Sequence, residues 1–266
     1  MEARMDGKAF RGMDDMIRLQ TVFFTSTQDV AGSSFLSRWY YDQRKFPDLY
    51  GYLPQFRRVR QFPTNQRFEP LIPGVTWFLT DPWAAGDPML TWGDYKIVER
   101  KPMLGGFNAK WNGDKENWKA DTHGGPNGDT FWDTDFELAP EVAILESKPT
   151  GYPRAPVGRR LAYVDVRNNM YCGNIRFDRQ DKPWVNFETN FGQYKLGDKI
   201  EVGPDGKSPA WSWTNIHSFD AQSGRMSRIT HNKENTGGHK SDFGADQDKA
   251  YSRFFTQQAL QRLGQV

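Results

Sequence analysis

Three acidic side chains alternate along one segment in the middle of the chain. Asp133, Asp135 and Glu137 occupy every second position of FWDTDFEL. Because alternate residues of a strand share a face, the three carboxylates would lie side by side. Such a group binds a hard cation such as Ca²⁺, or supplies acid–base chemistry for an enzyme acting on a hydrophobic substrate. A solvated outer face is the simpler interpretation, since the intervening, mostly apolar side chains then point inward.

Other catalytic and metal-binding patterns are missing from the sequence. The chain has four histidines, His123, His217, His231 and His239, and one cysteine, Cys172. No two histidines show the i, i+4 spacing of a zinc-binding helix, and none lies at a metal-ligand spacing from the cysteine. One cysteine also excludes an internal disulfide. The motifs of a serine nucleophile elbow, a dinucleotide-binding loop and a P-loop are absent. We therefore expect no catalytic residue, no metal and no cofactor.

An arginine-rich segment follows the sequence Tyr-Leu-Pro. Arg58 and Arg60 would share one face of a strand, while Arg57 would take the other, and Tyr52 comes shortly before them. Guanidinium groups bind phosphate and carboxylate well. These four residues are predicted to contact a lipid headgroup or an acidic partner. The alternative is an edge strand that its charges protect from aggregation.

Tryptophan and lysine are interleaved in a loop rich in Gly, Asn and Asp that spans residues 108–129. Trp111 and Trp118 each lie near a lysine, Lys115 or Lys119. Long loops of this kind are frequently functional. Because a solvent-exposed loop rarely carries two tryptophans without a use for them, both are predicted to contact a headgroup or a partner.

The elements that would position these residues are mostly strands. Apolar alternation and turn residues predict an antiparallel meander, and later a series of hairpins that includes a two-residue Asn168-Asn169 turn. The predicted strands are 17–24, 34–41, 49–53, 94–100, 130–138, 142–147, 160–167, 170–178, 183–191, 211–219 and 225–230. An irregular excursion over residues 62–90 interrupts the series.

The two ends of the chain have a different character. Residues 1–16 are polar and are expected to form a flexible lead-in to one sheet domain over 17–245. At the other end, apolar side chains recur every three to five residues, including Ala250, Phe254, Ala259 and Leu263. This spacing predicts one amphipathic helix over 246–266 that packs on the same domain.

Composition also favours a β-rich domain. Aromatic residues make up 15% of the chain, and aromatic side chains favour strands. The net charge of +2 comes from 35 basic and 33 acidic residues, which gives no basic excess for nucleic acid. No run approaches the roughly 20 apolar residues of a membrane-spanning helix.

Two stretches of the sequence resemble a known family. IRLQTVFFTSTQDVAGSSFLSRWYY, followed by DLYGYLPQFRRVRQF, and the later run YVDVRNNMYCGNIRFDRQDKPWVNFE are similar to the domain of unknown function 1329 family. Its members are similar to outer-membrane lipoprotein-sorting proteins of the LolA and LppX type. The resemblance implies a half-open β-barrel, in which a strongly curved antiparallel sheet carries helices on its concave side, and it supplies no catalytic motif.

The same resemblance implies a function without chemistry. The expected protein is a binding or carrier protein of the Gram-negative periplasm for a lipid or another apolar molecule. It would work with a membrane transporter or an outer-membrane protein. Relatives tend to carry a signal peptide, whereas this sequence begins with polar residues after Met1, so its start is expected to be a remnant of a longer precursor. A structural subunit of an envelope assembly is the alternative.

A lipid-binding half-barrel needs apolar side chains on its inner face. Alternation predicts that eight residues line that face and contact the ligand: Leu19, Phe23, Phe35, Trp39, Tyr41, Phe136, Leu145 and Ile175. These side chains can alternatively fill an ordinary core beneath the C-terminal helix. In either case the apolar area removed from water would drive the packing.

Overall fold

The fold is mainly β, as the sequence predicts, and is known from a computed structural model. The residues that the structure describes are 2–4, 12–25, 31–70, 74–81, 89–109, 132–193, 195–196, 199–200, 202, 206–209, 211–230 and 247–264. In this part of the chain the strands form mainly antiparallel sheets, and two short helices lie near the C-terminus. No pairing among the described residues closes either large sheet on itself, in agreement with the open arrangement that we expected.

The first sheet is a meander of five strands in chain order. They are β1 (Glu2–Arg4), β2 (Met16–Phe23), β3 (Ser34–Tyr40), β4 (Asp48–Leu53) and β5 (Arg58–Phe62). Strands β2, β3 and β4 confirm the predicted meander to within a residue or two. Strand β1 lies inside the segment that was expected to be a flexible lead-in. It pairs with β2, with Ala3 opposite Leu19.

The second sheet contains most of the remaining strands. Its members are β6 (Gly93–Gly105), β7 (Phe107–Asn108), β8 (Glu137–Lys148), β9 (Val157–Asp165), β10 (Met170–Asp178), β11 (Pro183–Gln193), β14 (Trp211–Asp220) and β15 (Arg225–Thr230). The spatial order is β15-β14-β11-β10-β9-β8-β6, and β7 pairs with β11 in parallel. Strands β12 (Lys195–Leu196) and β13 (Lys199–Ile200) form a separate pair.

Strand β8 replaces two predicted strands. The sequence predicted one strand over 130–138 and another over 142–147, with Pro140 between them, but β8 runs continuously through Pro140. The pairing register with β6 shifts at this point, between Lys101 and Met103. A proline is tolerated in a sheet at such an irregularity, where its missing N–H is not needed. Residues 132–136 are not in a strand.

The hairpin between β9 and β10 has a longer turn than predicted. Met170 pairs with Asp165, which leaves four residues in the turn instead of two. Asn169 has a φ of 58°, a conformation that asparagine adopts more readily than most residues. The carboxylate of Asp165 accepts a hydrogen bond from the backbone N–H of Arg167, and this side-chain bond stabilises the wider turn.

The C-terminal segment forms two helices where one was predicted. Helix α1 (Gln247–Phe254) and helix α2 (Gln257–Leu263) are separated at Thr256, whose backbone is extended. The hydroxyl of Thr256 accepts a hydrogen bond from the N–H of Ala259 and so caps α2. Neither helix is long and apolar enough to cross a membrane.

Both helices pack against one face of the first sheet. Leu19, Leu36 and Tyr52 form a buried cluster there with Phe255 and Leu260. Two hydroxyl groups of the sheet reinforce this contact: Thr21 Oγ1 donates to the carbonyl of Phe254, and Ser34 Oγ donates to that of Leu260. The break between the helices therefore positions both of them on the sheet.

Removing the cap of α2 is expected to destabilise the protein. In the Thr256→Ala variant the N–H of Ala259 loses its acceptor, so the free energy of unfolding should fall by about 1 kcal/mol. Urea denaturation measures this change. Thr256→Ser, which keeps the hydroxyl, is the control, and equal stability of the Ala and Ser variants would contradict the cap.

Candidate functional site

A short segment of the chain covers one face of the second sheet. We call residues 74–81 the covering segment and the sheet face that it contacts the inner face. Thr76 Oγ1 donates to the carbonyl of Ser218 at 3.0 Å, and the ring of Trp77 packs against Phe187 and Ile216. Phe78 packs against Trp92 in a neighbouring cluster. Part of the inner face is thus filled by the chain itself.

One row of side chains crosses the inner face from strand to strand. The pairing registers of β6, β8, β9, β10, β11 and β14 place these residues opposite one another: Ile97, Leu145, Ala162, Asn174, Phe187 and Ser218. Neighbouring strands lie about 4.8 Å apart, so Ile97 and Asn174 are separated by about 14 Å. Ile97 is 49% exposed whereas Asn174 is 1% exposed. The row therefore leads from an exposed apolar residue on β6 to a buried polar residue on β10.

The open end is an apolar strip on strands β6 and β8. Ile97 lies opposite Leu145, and Leu104 lies opposite Leu138. The pairing register shifts twice between these two pairs, once on each strand, so both pairs point to the same side of the sheet. All four side chains therefore lie on the inner face, and we call them the apolar strip. Leu104 is 66% and Leu138 59% exposed. Exposed leucines opposite each other provide apolar area that a ligand or partner can cover.

The buried end of the inner face carries charge. Arg176 Nη2 donates to Asp81 Oδ1 at 2.5 Å, and both side chains are almost completely buried. Arg160 lies opposite Arg176 in register, and its guanidinium group lies 4.0 Å from the ring centroid of Trp92. A buried ion pair is costly to desolvate and is retained only with good geometry. The second carboxylate oxygen of Asp81 accepts from the backbone N–H of Phe78 at 2.8 Å.

The predicted ligand-contacting residues of the first sheet do not share a face. Thr21 lies opposite Leu36, so Leu19 and Phe23 lie on the face covered by the helices. Phe35 and Trp39 alternate with Leu36 and lie on the other face; Phe35 packs near Leu49 and Leu79. The guanidinium of Arg18 lies 3.0 Å from the ring centroid of Trp39, and Tyr41, just after β3, is exposed. Alternation alone cannot relate the faces of two strands, because that relation depends on the pairing register.

The other predicted ligand contacts are also divided. Leu145 belongs to the apolar strip on the inner face. Ile175 lies on the opposite, outer face, since its neighbour Asn174 is the residue of β10 that occupies the inner row. Phe136 is exposed and precedes β8. The expectation of one common inner face for all eight residues is therefore wrong, and their contact with a ligand stays a prediction.

The arginine-rich segment forms the edge strand of the first sheet. Arg57 lies in the turn before β5 with a φ of 50°, and Arg58 and Arg60 are exposed on β5. Arg60 lies over the ring of Phe56 at 4.3 Å. Because β5 is the edge strand of the first sheet, its position agrees with the alternative that the arginines protect this edge from aggregation. Tyr52 is buried beneath the helices, where its side chain is not accessible to a headgroup.

The remaining candidates are placed only in part. Trp111 and Trp118 lie outside the described residues, as do His123, His231 and His239. Asp133 and Asp135 precede β8 and are not on a strand. The three carboxylates of Asp133, Asp135 and Glu137 therefore do not lie side by side on one strand, as the sequence had predicted. His217 packs against the ring of Trp132 at 5.0 Å. Among the described residues no group of His, Cys, Asp and Glu side chains is arranged to hold a metal ion.

Burial makes the single thiol unreactive. Desolvation raises the pKa of Cys172 from the ordinary value of 9.0 to about 11. The unfolded chain therefore loses this proton first as pH rises, and the contribution of the buried thiol to stability should be lost between about pH 9 and about pH 11. We expect Ellman's reagent to label Cys172 at pH 8 only after unfolding. Rapid labelling of the folded protein would contradict this burial, and the Cys172→Ala variant should lack this part of the alkaline destabilisation.

The charged end of the inner face was not predicted from the sequence. Asn174 and Arg176 stand in YCGNIRFD, where Ile175 and Phe177 are the apolar residues that alternation assigns to the interior. Asp81, the partner of Arg176, is 95 residues away in the chain. The sequence holds no local signal that could join them.

Comparisons with protein families and with solved structures show which known proteins this chain resembles. A family model described as "Protein of unknown function (DUF1329)" matches residues 2–261, and no curated protein matches the chain. A solved domain from Vibrio parahaemolyticus, described as an outer membrane lipoprotein-sorting protein, is similar with a TM-score of 0.55 and 14% identity, over 93% of this chain and 83% of that one. A DUF1329 family protein from Desulfovibrio piger gives a TM-score of 0.52 and 15% identity, over 94% and 80%. At these identities the likeness concerns the fold.

Proposed function

The chain belongs to the DUF1329 family of proteins of unknown function, and from that premise we propose that it is a non-catalytic carrier of a lipid or a similar apolar molecule. The similarity of its fold to a domain described as an outer membrane lipoprotein-sorting protein supports this proposal. The inner face of the second sheet is the binding surface that we assign to the ligand.

One observation carries the proposal: three of the four side chains of the apolar strip, Ile97, Leu104 and Leu138, are exposed. Leu104 and Leu138 face each other across strands β6 and β8 and remain largely exposed. Covering one leucine side chain completely contributes about 1.5–3 kcal/mol. An acyl chain laid along the strip would gain this energy without any rearrangement of the sheet, because the strip is already open.

The same likeness supports a setting for the carrier. We place it in the periplasm, where it would exchange its ligand with a membrane transporter or an outer-membrane protein.

A second candidate function rests on the position of β6. This strand is an edge of the second sheet, and it carries exposed apolar side chains beside the apolar strip, among them Tyr95 and Val98. Exposed edge strands can pair with a strand of another chain. A structural subunit of an envelope assembly would use the same surface, with protein in place of lipid.

Native mass spectrometry of the full chain, purified from its own source without detergent, separates the two candidates. The carrier proposal predicts a protein mass increased by one lipid, and organic extraction should recover that lipid. A protein that carries no lipid and elutes in stable association with another chain would contradict the carrier and favour the subunit.

A further inference from the structure

A buried amide within the row has no partner among the described residues. Asn174 is 1% exposed, and neither its Oδ1 nor its Nδ2 makes a hydrogen bond to any described group. Its cross-strand neighbours, Phe187 and Ala162, have side chains that offer none. A buried polar group without a partner is destabilising and is rare in native proteins. The arrangement calls for a group that supplies both a donor and an acceptor at this position.

The guanidinium group two residues further along β10 is only partly used. Arg176 Nη2 bonds to Asp81, but the buried Nη1 has no partner among the described groups. Asn174 and Arg176 point to the same side of the strand, since residues i and i+2 share a face. Thr80, next to Asp81 in the chain, has a buried Oγ1 that likewise bonds to nothing in the described part of the protein. Asn174 and Arg176 thus bring unused hydrogen-bonding capacity to one face of β10, and Thr80 adds a buried hydroxyl beside the residue that pairs with Arg176.

The chemistry of these three groups favours an anion that contains oxygen. Arg176 Nη1, Asn174 Nδ2 and the hydroxyl of Thr80 are donors, and charge-assisted hydrogen bonds from such donors to an ionised oxygen are the strongest of their kind. Arg160, opposite Arg176 in register, adds a second positive charge. The remaining acceptor, Asn174 Oδ1, suits a hydroxyl group on the same ligand.

We propose that Asn174, Arg176 and Thr80 bind the anionic oxygen headgroup, phosphate or carboxylate, of an amphiphile whose acyl chain lies on the apolar strip. This inference rests on the proposed carrier function, which assigns the acyl chain of the ligand to the apolar strip. The row of residues from Ile97 to Asn174 connects the apolar strip to the headgroup site. The distance of about 14 Å from Ile97 to Asn174 sets the separation of chain and headgroup. Because Asp81 pairs with Arg176 and the ring centroid of Phe78 lies 4.7 Å from the Arg176 guanidinium, we expect the covering segment to move when the headgroup binds.

Calorimetric titration of the full chain, stripped of lipid, tests this headgroup site. Palmitate and palmitoyl lysophosphatidate are the anionic probes, and monopalmitoylglycerol is the uncharged probe with the same acyl chain. The unaltered protein should bind at least one anionic probe about tenfold more tightly than the uncharged one, because hydrogen bonds to charged groups are stronger. Asn174→Leu, which removes the amide at nearly constant volume, should reduce this preference to about twofold or less while leaving its thermal stability equal or higher.

Two further variants keep the test decisive. Asn186→Leu changes an exposed asparagine on the outer face of the neighbouring strand and should keep the preference for the anion. Thr80→Val removes the hydroxyl alone and should weaken the anionic probes selectively, so the headgroup site can be tested even if the Asn174 variant does not fold. Equal binding of charged and uncharged probes by the unaltered protein would overturn the headgroup site, and buried water would then be the partner of Asn174.

Inorganic phosphate distinguishes this inference from the carrier function. If no amphiphile binds but phosphate raises the Tm of the unaltered protein and not of the Asn174→Leu variant, the anion site stands and the carrier proposal fails. If amphiphiles bind without preference for charge and phosphate has no effect, the carrier proposal stands and the anion site fails. Absence of every effect overturns both.

Discussion

Replacing Asp81 with asparagine should lower the free energy of unfolding by about 3 kcal/mol, because the substitution leaves the Arg176 guanidinium buried without a counter-charge. Asparagine keeps the size of the side chain and an oxygen that can accept from the N–H of Phe78. The loss therefore reports the charge and not a cavity or a missing backbone partner. Guanidinium chloride denaturation, followed by tryptophan fluorescence, measures it.

The double variant Asp81→Asn with Arg176→Met should recover most of this loss, since a buried ion pair can often be replaced by uncharged groups at little cost. Arg44 and Asp42 form an exposed ion pair and provide the control: Asp42→Asn should have little effect, because exposed pairs contribute little. A small effect of Asp81→Asn, similar to that of Asp42→Asn, would show that the covering segment is not held to the inner face by this pair.

Replacing Leu104 and Leu138 together by glutamine should weaken amphiphile binding about a hundredfold. The two side chains supply the most exposed part of the apolar strip, and losing about 3 kcal/mol of apolar burial corresponds to that factor. Stability should change by about 0.5 kcal/mol or less, because both residues are already exposed in the free protein. Titration with monopalmitoylglycerol measures the loss without the contribution of an anionic headgroup.

A matched pair on the outer face controls for general effects of apolar surface. Phe219 lies opposite Met226 on strands β14 and β15, and both side chains are exposed. Phe219→Gln with Met226→Gln should leave the affinity unchanged. If this pair reduced binding as strongly as the Leu104 and Leu138 pair, the ligand would not be confined to the inner face.

Local features of the sequence were sufficient to predict most strands. Alternation defined β2, β3 and β10, and the predicted bounds of β15 are those observed, because the signals for a strand and its turns lie within a few residues. The break at Thr256 was missed because the apolar spacing of α1 and α2 continues across it. One extended residue with a capping hydroxyl interrupts a helix without changing that spacing.

The candidate site was predictable only in part, for a physical reason. Leu145 lies on the inner face, and its contact with a ligand stays a prediction. Ile175 and Phe35 were grouped with residues that the pairing register places on other faces. The inner face was also expected to be apolar throughout. Asn174 and Arg176 are buried there instead, and such burial is stable only with partners, of which Asp81 comes from a distant segment.

These observations change the expected picture of the binding face. Apolar side chains were expected on the inner face, whereas the described inner face is divided between an exposed apolar strip and buried polar residues beneath the covering segment. This division favours an amphipathic ligand over a purely hydrocarbon one. It also assigns different tasks to the two ends: the strip provides affinity, and the polar end provides selectivity.

Photocrosslinking with a diazirine-labelled palmitate, followed by peptide mapping of the full chain, locates the ligand most directly. If the inner face binds the acyl chain, the label should be found on β6 and β8 around Ile97, Leu104 and Leu138, and an excess of unlabelled palmitate should abolish it. Labelling that competes in the same way but lies around Phe219 and Met226 or on the two helices, with none on β6 or β8, would contradict binding on the inner face.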